Sequence, residues 1–224
     1  MLTRFAVVVP AHDEQELLPG CLAALRIAAG AVAVPTEVVV VADACTDTTT
    51  QLAAVAGAQV VTVAAGKVGA ARAAGMAYAL RHGTAGLWLA TTDADSRVGP
   101  GWLGWHARHA ARGTELLVGT VEVGDWTPWP EAVRHAYERG YRASRRHVHG
   151  ANLGCAGQAY AGLGGFAAVT HDEDRDLVTR ATRAGLRVVF DRRCPVRTSA
   201  RGVARAPAGF AAHLASVADE VSAR

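Results

Sequence analysis

Residues 37–63, EVVVVADACTDTTTQLAAVAGAQVVTV, hold one full period of an alternating pattern. Glu37–Val41 is an almost unbroken β-branched run, as expected of a strand buried on both faces. The polar turn ADACTDTTT follows, then QLAAVAG at helical spacing, then a second run, Gln59–Val63. Two such strands joined through a helix predict parallel neighbours. The pattern continues in both directions. Upstream, Phe5–Val9 is a buried strand that Pro10 ends, and Asp13 is placed to cap a helix in EQELLPGCLAALRIAA. Downstream, Gly66–Gly69 form a loop, AARAAGMAYALRHG a helix and Leu87–Ala90 a fourth strand. The first hundred residues therefore predict a mostly parallel α/β sheet flanked by helices, with right-handed crossovers.

The second half is less regular. Glu115–Val123 (ELLVGTVEV) reads as one strand, DWTPWP as a breaker, and EAVRHAYERGYRASRR as a basic amphipathic helix. HVHGANLGCAG is glycine-rich, DEDRDLVTRATRAG is a helix opening with acids, and LRVVF reads as the last strand. Acids suit the positive end of a helix dipole. With no repeat, linker or low-complexity tract, residues 1–224 read as a single domain in two halves, 1–100 and 101–224.

Composition narrows the function classes. The chain is 50% hydrophobic and 19% charged, with a net charge of +3, which does not call for nucleic acid but suits a phosphorylated substrate. Of the 23 basic residues all but Lys67 are Arg, the better fork for phosphate and carboxylate. Cys21, Cys45, Cys155 and Cys194 form no CxxC pair, which argues against a zinc ribbon or a disulfide framework. The apolar run near the start is too short for a signal peptide or a membrane span, and no later run is longer. The expected setting is cytoplasmic, peripheral at the inner membrane surface if the acceptor is lipid-linked. Nothing in the sequence sets an oligomeric state.

In parallel α/β sheets ligands bind beyond the carboxyl ends of the strands. Those ends carry His12-Asp13-Glu14, Asp43–Asp47, Gly66–Arg72 and Asp93–Asp95, four polar clusters on one edge. Asp93 and Asp95 lie two residues apart at the end of LWLATTDADS (87–96), so they point the same way if the strand continues. Two adjacent carboxylates repel unless a cation joins them. Hard oxygen ligands suit Mg²⁺ or Mn²⁺, and these ions usually share their sites with substrate phosphates. The plain alternative is a solvated acidic turn.

VVVPAHDE, VVVVADACTDTT, GKVGAARAAG, TTDADS and EDRDL, in that order, resemble the family 2 glycosyltransferases of the GT-A fold, over roughly residues 4–201. The resemblance implies a GT-A, Rossmann-like sheet and an inverting transfer of a sugar from a nucleotide-diphosphate donor to a hydroxyl acceptor, lipid-linked or small, aided by Mn²⁺ or Mg²⁺. The first half is then the nucleotide-binding half and the second the acceptor-binding half. Carried over, Pro10, Ala11, His12 and Glu14 belong to the first nucleotide loop and Asp43 to the base and ribose loop. Ala42 stands where the family often has an aspartate. Lys67 and Arg72 lie near the base and diphosphate, and Asp93, Ala94 and Asp95 form the donor motif, with Asp93 and Asp95 as metal ligands. Asp174 is the implied general base with Glu173 in support, although acids in a first helical turn are favourable without chemistry. Arg201 is a candidate for the diphosphate, with Arg197 weaker. Gly150, Asn152 and Trp126 are acceptor candidates, and His147, His149 or His213 candidates for a third metal ligand.

Competing classes would draw on some of the same residues. A haloacid-dehalogenase-like phosphatase would also use Asp93 and Asp95, but its acidic motif normally follows the first strand, not the fourth. A sugar nucleotidyltransferase normally opens on a glycine-rich loop that VVVPAHDE lacks. A catalytically silent nucleotide-sugar-binding protein would predict damage to the acidic motifs, which are intact. RHAYERGYRASRRHVH is basic with interleaved tyrosines, yet a solvated helix face explains it better than a nucleic-acid site.

Overall fold

Val7, Val8 and Val9 are wholly buried, as are Val39, Val40 and Val41 two strands' width of sequence later. These runs form two adjacent interior strands of a seven-stranded sheet in a computed structural model that describes residues 1–144, 146–202 and 210–223. The strands are β1 (Arg4–Ala11), β2 (Thr36–Asp43), β3 (Gln59–Val63), β4 (Leu87–Thr91), β5 (Ser96–Arg97), β6 (Leu116–Val118), β7 (Val121–Val123), β8 (Leu153–Ala156), β9 (Val188–Phe190) and β10 (Val196–Thr198). The helices are α1 (Leu18–Gly30), α2 (Thr49–Val55), α3 (Val68–Leu80), α4 (Trp102–Ala111), α5 (Glu131–Ala143), α6 (Gly157–Gly162), α7 (Glu173–Arg183) and α8 (Phe210–Ser222).

The large sheet has the order β3-β2-β1-β4-β8-β6-β9, and a small one has the order β5-β10-β7. β3, β2, β1 and β4 are parallel, while β8 runs antiparallel between β4 and β6. Alternation along β1 divides the core in two. Val7 and Val9 meet Leu18, Leu25 and Trp102 on one face, and Ala6 and Val8 meet Ala71, Met76 and Leu177 on the other. Each fully buried large side chain contributes about 1.5–3 kcal/mol of transfer free energy, so the buried strands anchor the fold.

Four sequence expectations are corrected. ELLVGTVEV is two strands in two sheets, and between them Gly119 packs on Asn152 so closely that a Cβ there would lie 2.3 Å from Nδ2. The glycine-rich stretch HVHGANLGCAG is not all loop. It supplies β8, an interior strand of the sheet. LRVVF is not the last strand, since β10 and then α8 follow it. Asp13 does not cap α1, which starts at Leu18. Asp13 has φ +50°, and its carboxylate accepts from the backbone of Thr46 (2.7 Å) and Asp47 (3.2 Å).

One core polar group has a measurable consequence. His106 is fully buried among Trp88, Trp102 and Trp105, and its Nδ1 accepts from Trp88 Nε1 at 3.1 Å. Burial, assisted by nearby His109, pushes its pKa from 6.5 down to about 3. The folded state holds this ring neutral, whereas the unfolded chain protonates it near pH 6.5. The stabilisation is therefore complete above pH 6.5 and is lost as pH falls toward 3. Melting temperature is expected to fall over that range, and less so in His106→Gln, which keeps an acceptor for Trp88 but takes up no proton.

Candidate active site

The carboxyl ends of β1, β2, β3 and β4 lie side by side, as parallel pairing requires, and the polar loops that follow them lock together. His12 Nδ1 lies 2.7 Å from the Asp43 carbonyl. Glu14 N donates to Thr49 Oγ1 at 2.7 Å, and Gln15 N to Asp47 Oδ2 at 3.1 Å. These contacts join the first two strand-end loops before any ligand is considered. Asp13, Cys45 and Asp47 can each bring one ligand atom within 4.8 Å of the others. Both carboxylates there already serve backbone amides of this loop pair.

Asp43 was expected to face the base and ribose. Its carboxylate instead accepts from Ala65 N (2.7 Å), Gly66 N (3.0 Å) and Lys67 N (3.2 Å), and the residue is buried. It therefore shapes the β3–α3 loop and presents that loop's outer side, including the exposed Lys67, to the edge. Pro10 and Ala11 lie within the last turns of β1, in register with Val41 and Ala42.

Two arginine bridges dominate the centre. Arg72, buried on α3, donates to both Asp93 and Glu173. Glu173 is itself buried, so its charge is consumed by this pair. Arg201 donates to Glu14 (3.0 and 2.6 Å) and to Asp95 Oδ2 (2.6 Å). Burial disfavours the Arg201 charge, but the Glu14 and Asp95 carboxylates outweigh it and raise its pKa above the ordinary value. Among the described residues Asp95 Oδ1 receives hydroxyls alone, from Ser96 at 3.2 Å and Thr198 at 3.4 Å. Burial raises the Asp93 pKa, Arg72 opposes, and the neighbouring Asp95 and Asp174 charges add to the rise. Ala94 is buried between the two aspartates.

Asp174, in the first turn of α7, accepts from Gly150 N and from Arg175 N, each at 2.7 Å. Gly150 is required here: a Cβ would lie 2.3 Å from the Arg72 guanidinium carbon. One buried arginine thus lies against Asp93, Glu173 and the loop that holds Asp174.

Three expectations change. Asn152 does not offer its amide to an acceptor. It is wholly buried, takes Trp102 Nε1 at 2.9 Å, and donates to the carbonyls of Thr120 (2.8 Å) and Cys194 (2.9 Å). Trp126 packs on Tyr137 at 5.5 Å, in the small cluster that joins α5 to α8. Two of the three candidate histidines are committed elsewhere. His147 stacks on Tyr141 at 3.7 Å and lies 2.7 Å from its carbonyl, while His149 Nε2 lies 3.1 Å from the Tyr141 hydroxyl. Burial, with the nearby charges of His147, Arg175 and His213, lowers the His149 pKa to about 4. His213 lies edge-on to Tyr137 at 6.0 Å. Arg197 points to Glu122 at 3.2 Å.

Sequence reasoning missed the Ser96 and Thr198 hydroxyls on Asp95. Ser96 was one residue beyond the acidic pair, but Thr198 lies on a strand too short to show a period. It also missed Asp191, whose VVFD (188–191) setting repeats the strand-then-acid signature of Asp93.

The family model described as Glycosyl transferase family 2 matches residues 6–165. The chain belongs to that family. No curated protein matches this family 2 chain in sequence. Among solved structures, it superposes on S. aureus TarS 1–349 in complex with UDP-GlcNAc with a TM-score of 0.70 at 15% identity, covering 99% of this chain and 66% of that one. Against S. aureus TarS the TM-score is 0.66 at 15% identity, and this chain spans only 43% of that protein. Against glucosyl-3-phosphoglycerate synthase from Mycobacterium tuberculosis, in complex with Mn²⁺, UDP and glucosyl-3-phosphoglycerate, the TM-score is 0.66 at 18% identity, covering 99% of this chain and 78% of that one. These likenesses establish the shared fold. Among the described residues of this family 2 chain, no helix is long and apolar enough to cross a membrane.

Removing Arg72 leaves Asp93 and Glu173 without their cation. Breaking a buried pair from one side costs about 3–5 kcal/mol. Arg72→Met is expected to lose stability of that order in urea titration, and Glu173→Gln to lose less, because Arg72 retains Asp93.

Proposed function

We propose that this chain is an inverting sugar transferase that takes a nucleotide-diphosphate sugar and passes the sugar to a hydroxyl acceptor. The arrangement that supports this best is the Arg72 bridge, which ties Asp93 of the donor motif to Glu173, the immediate neighbour of Asp174. Donor-side and acceptor-side carboxylates are held on one rigid frame. In this reading residues 1–224 act as one domain, the first half binding the nucleotide and the second the acceptor.

Asp174 is the general base. Each of its oxygens accepts one backbone amide and keeps a second lone pair for an incoming hydroxyl proton. Glu173 positions it through Arg72 and does not handle the proton. Lys67 and Arg201 meet donor phosphates. His12, Pro10 and Ala11 line the nucleotide side. Asp95 and Asp93 are the metal ligands, and the donor set fits a hard cation, since among the described residues Asp95 Oδ1 has two long hydroxyl contacts and no cation. A bound Mn²⁺ or Mg²⁺ supplies charge to stabilise the departing diphosphate. Arg201 would then trade part of its hold on Asp95 for phosphate oxygens. The neighbours in complex with UDP and UDP-GlcNAc make uridine the first base to test.

Melting of the parent is expected to rise with one nucleoside diphosphate, in the presence of Mn²⁺ or Mg²⁺. A ligand at a hundred times its Kd adds about 2.7 kcal/mol. Asp95→Asn should lose the metal-dependent part of that rise. Asp174→Asn should keep it and lose transfer by about 10²–10⁴-fold. Transfer by Asp174→Asn at the parental rate would remove the base assignment, and no response to any diphosphate would remove the donor site.

A further inference from the structure

A cavity of about 310 Å³ lies between α4 and the loop that follows β9, lined by Trp105, Arg108, His109, Arg112, Arg193 and Cys194. None of these belongs to the donor edge. Asp191 stands beside it, and its charge is already committed. It accepts from Trp105 Nε1 at 2.9 Å and from Arg193 Nη2 at 2.7 Å, and lies 2.8 Å from His109 Nε2. The Arg193 bonds hold its pKa well below the ordinary value.

The remaining cations have no such partner. Arg108 in the last turn of α4 and Arg112 at its C-cap are four residues apart, an arrangement in which like charges repel. Among the described residues neither has an ion pair. Arg187 adds a further guanidinium beside them, its Nη1 on the Arg112 carbonyl at 2.7 Å. The helix dipole favours basic residues in the last turn of α4, which accounts for Arg108 and His109. Arg193 reaches the cavity from the facing loop as the partner of Asp191. Among the described residues Arg108 and Arg112, two forks on one concavity, therefore lack a counter-anion.

We propose that this cavity is an anion site, separate from the donor site, that takes a phosphate group. Guanidinium forks match the paired oxygens of phosphate, and Trp105 gives the cavity an apolar wall. The volume is near the lower end for small-molecule pockets, so it admits a phosphomonoester with a short carbon chain as well as free phosphate. The assignment uses no residue of the proposed transfer chemistry and stands or falls independently of it.

The test is calorimetric titration in metal-free buffer at fixed ionic strength, with inorganic phosphate in one arm and glycerol 3-phosphate in the other. The parent is expected to bind both. Tighter binding of glycerol 3-phosphate identifies a carried phosphate as the natural source, and equal binding identifies free phosphate. Arg108→Gln/Arg112→Gln should bind at least tenfold more weakly, and Arg112→Gln alone, at an exposed position, should weaken binding measurably without endangering the fold. Arg139→Gln, at an exposed arginine of α5 outside both sites, should bind as the parent does. A parent that binds neither probe, or arginine variants that bind as tightly as the parent, would overturn the proposal.

Discussion

A single buried guanidinium organises this edge of the molecule. Arg72 projects from α3 into a space where Asp93, Glu173 and the Gly150 backbone converge. A cation taken out of water is tolerated only when carboxylates surround it, and here the carboxylates come from the loop after β4 and from α7, eighty residues apart in sequence. The attraction therefore works as a tether between halves. It also explains the glycine at 150, because the guanidinium lies where a side chain would start.

The second bridge differs in kind. Arg201 holds Glu14 and Asp95 together from a loop beyond β10, and is itself more open to solvent than Arg72. A buried bridge fixes a frame, while a half-exposed one can exchange partners at little cost. The edge thus combines a rigid anchor and an adjustable contact, each built from the same kinds of charge.

Much of the first half was legible in the sequence because its strands are wholly buried. Burial on both faces demands unbroken apolar runs, and those are easy to recognise between polar turns. β3 was read to the residue. The second half uses strands of three or four residues, too short for any period, so β8 and β10 were not foreseen. Glycines at 150 and 154 suggested a loop, yet they sit where close-packed neighbours leave no room for side chains. Acidic motifs were legible as motifs, but not their partners. Asn152 shows the limit most clearly. A polar residue amid glycines suggests a ligand contact, whereas its amide closes a gap between a tryptophan and two carbonyls in the core.

The antiparallel insertion of β8 between β4 and β6 sets the order in which the molecule can be assembled. β1 to β4 are contiguous early in the chain, but the free edge of β4 is covered only when residues 153–156 arrive, some sixty residues after β4 is complete. Until then a nascent chain displays an apolar strand with unsatisfied backbone groups, the kind of edge that pairs with the wrong partner. β6 cannot join the sheet before β8 either, since among the described residues it reaches β4 through β8. Completion of the sheet is thus a non-local, late event, of the type that slows folding. The strand that makes the two halves one structure is also the one on which the chain must wait.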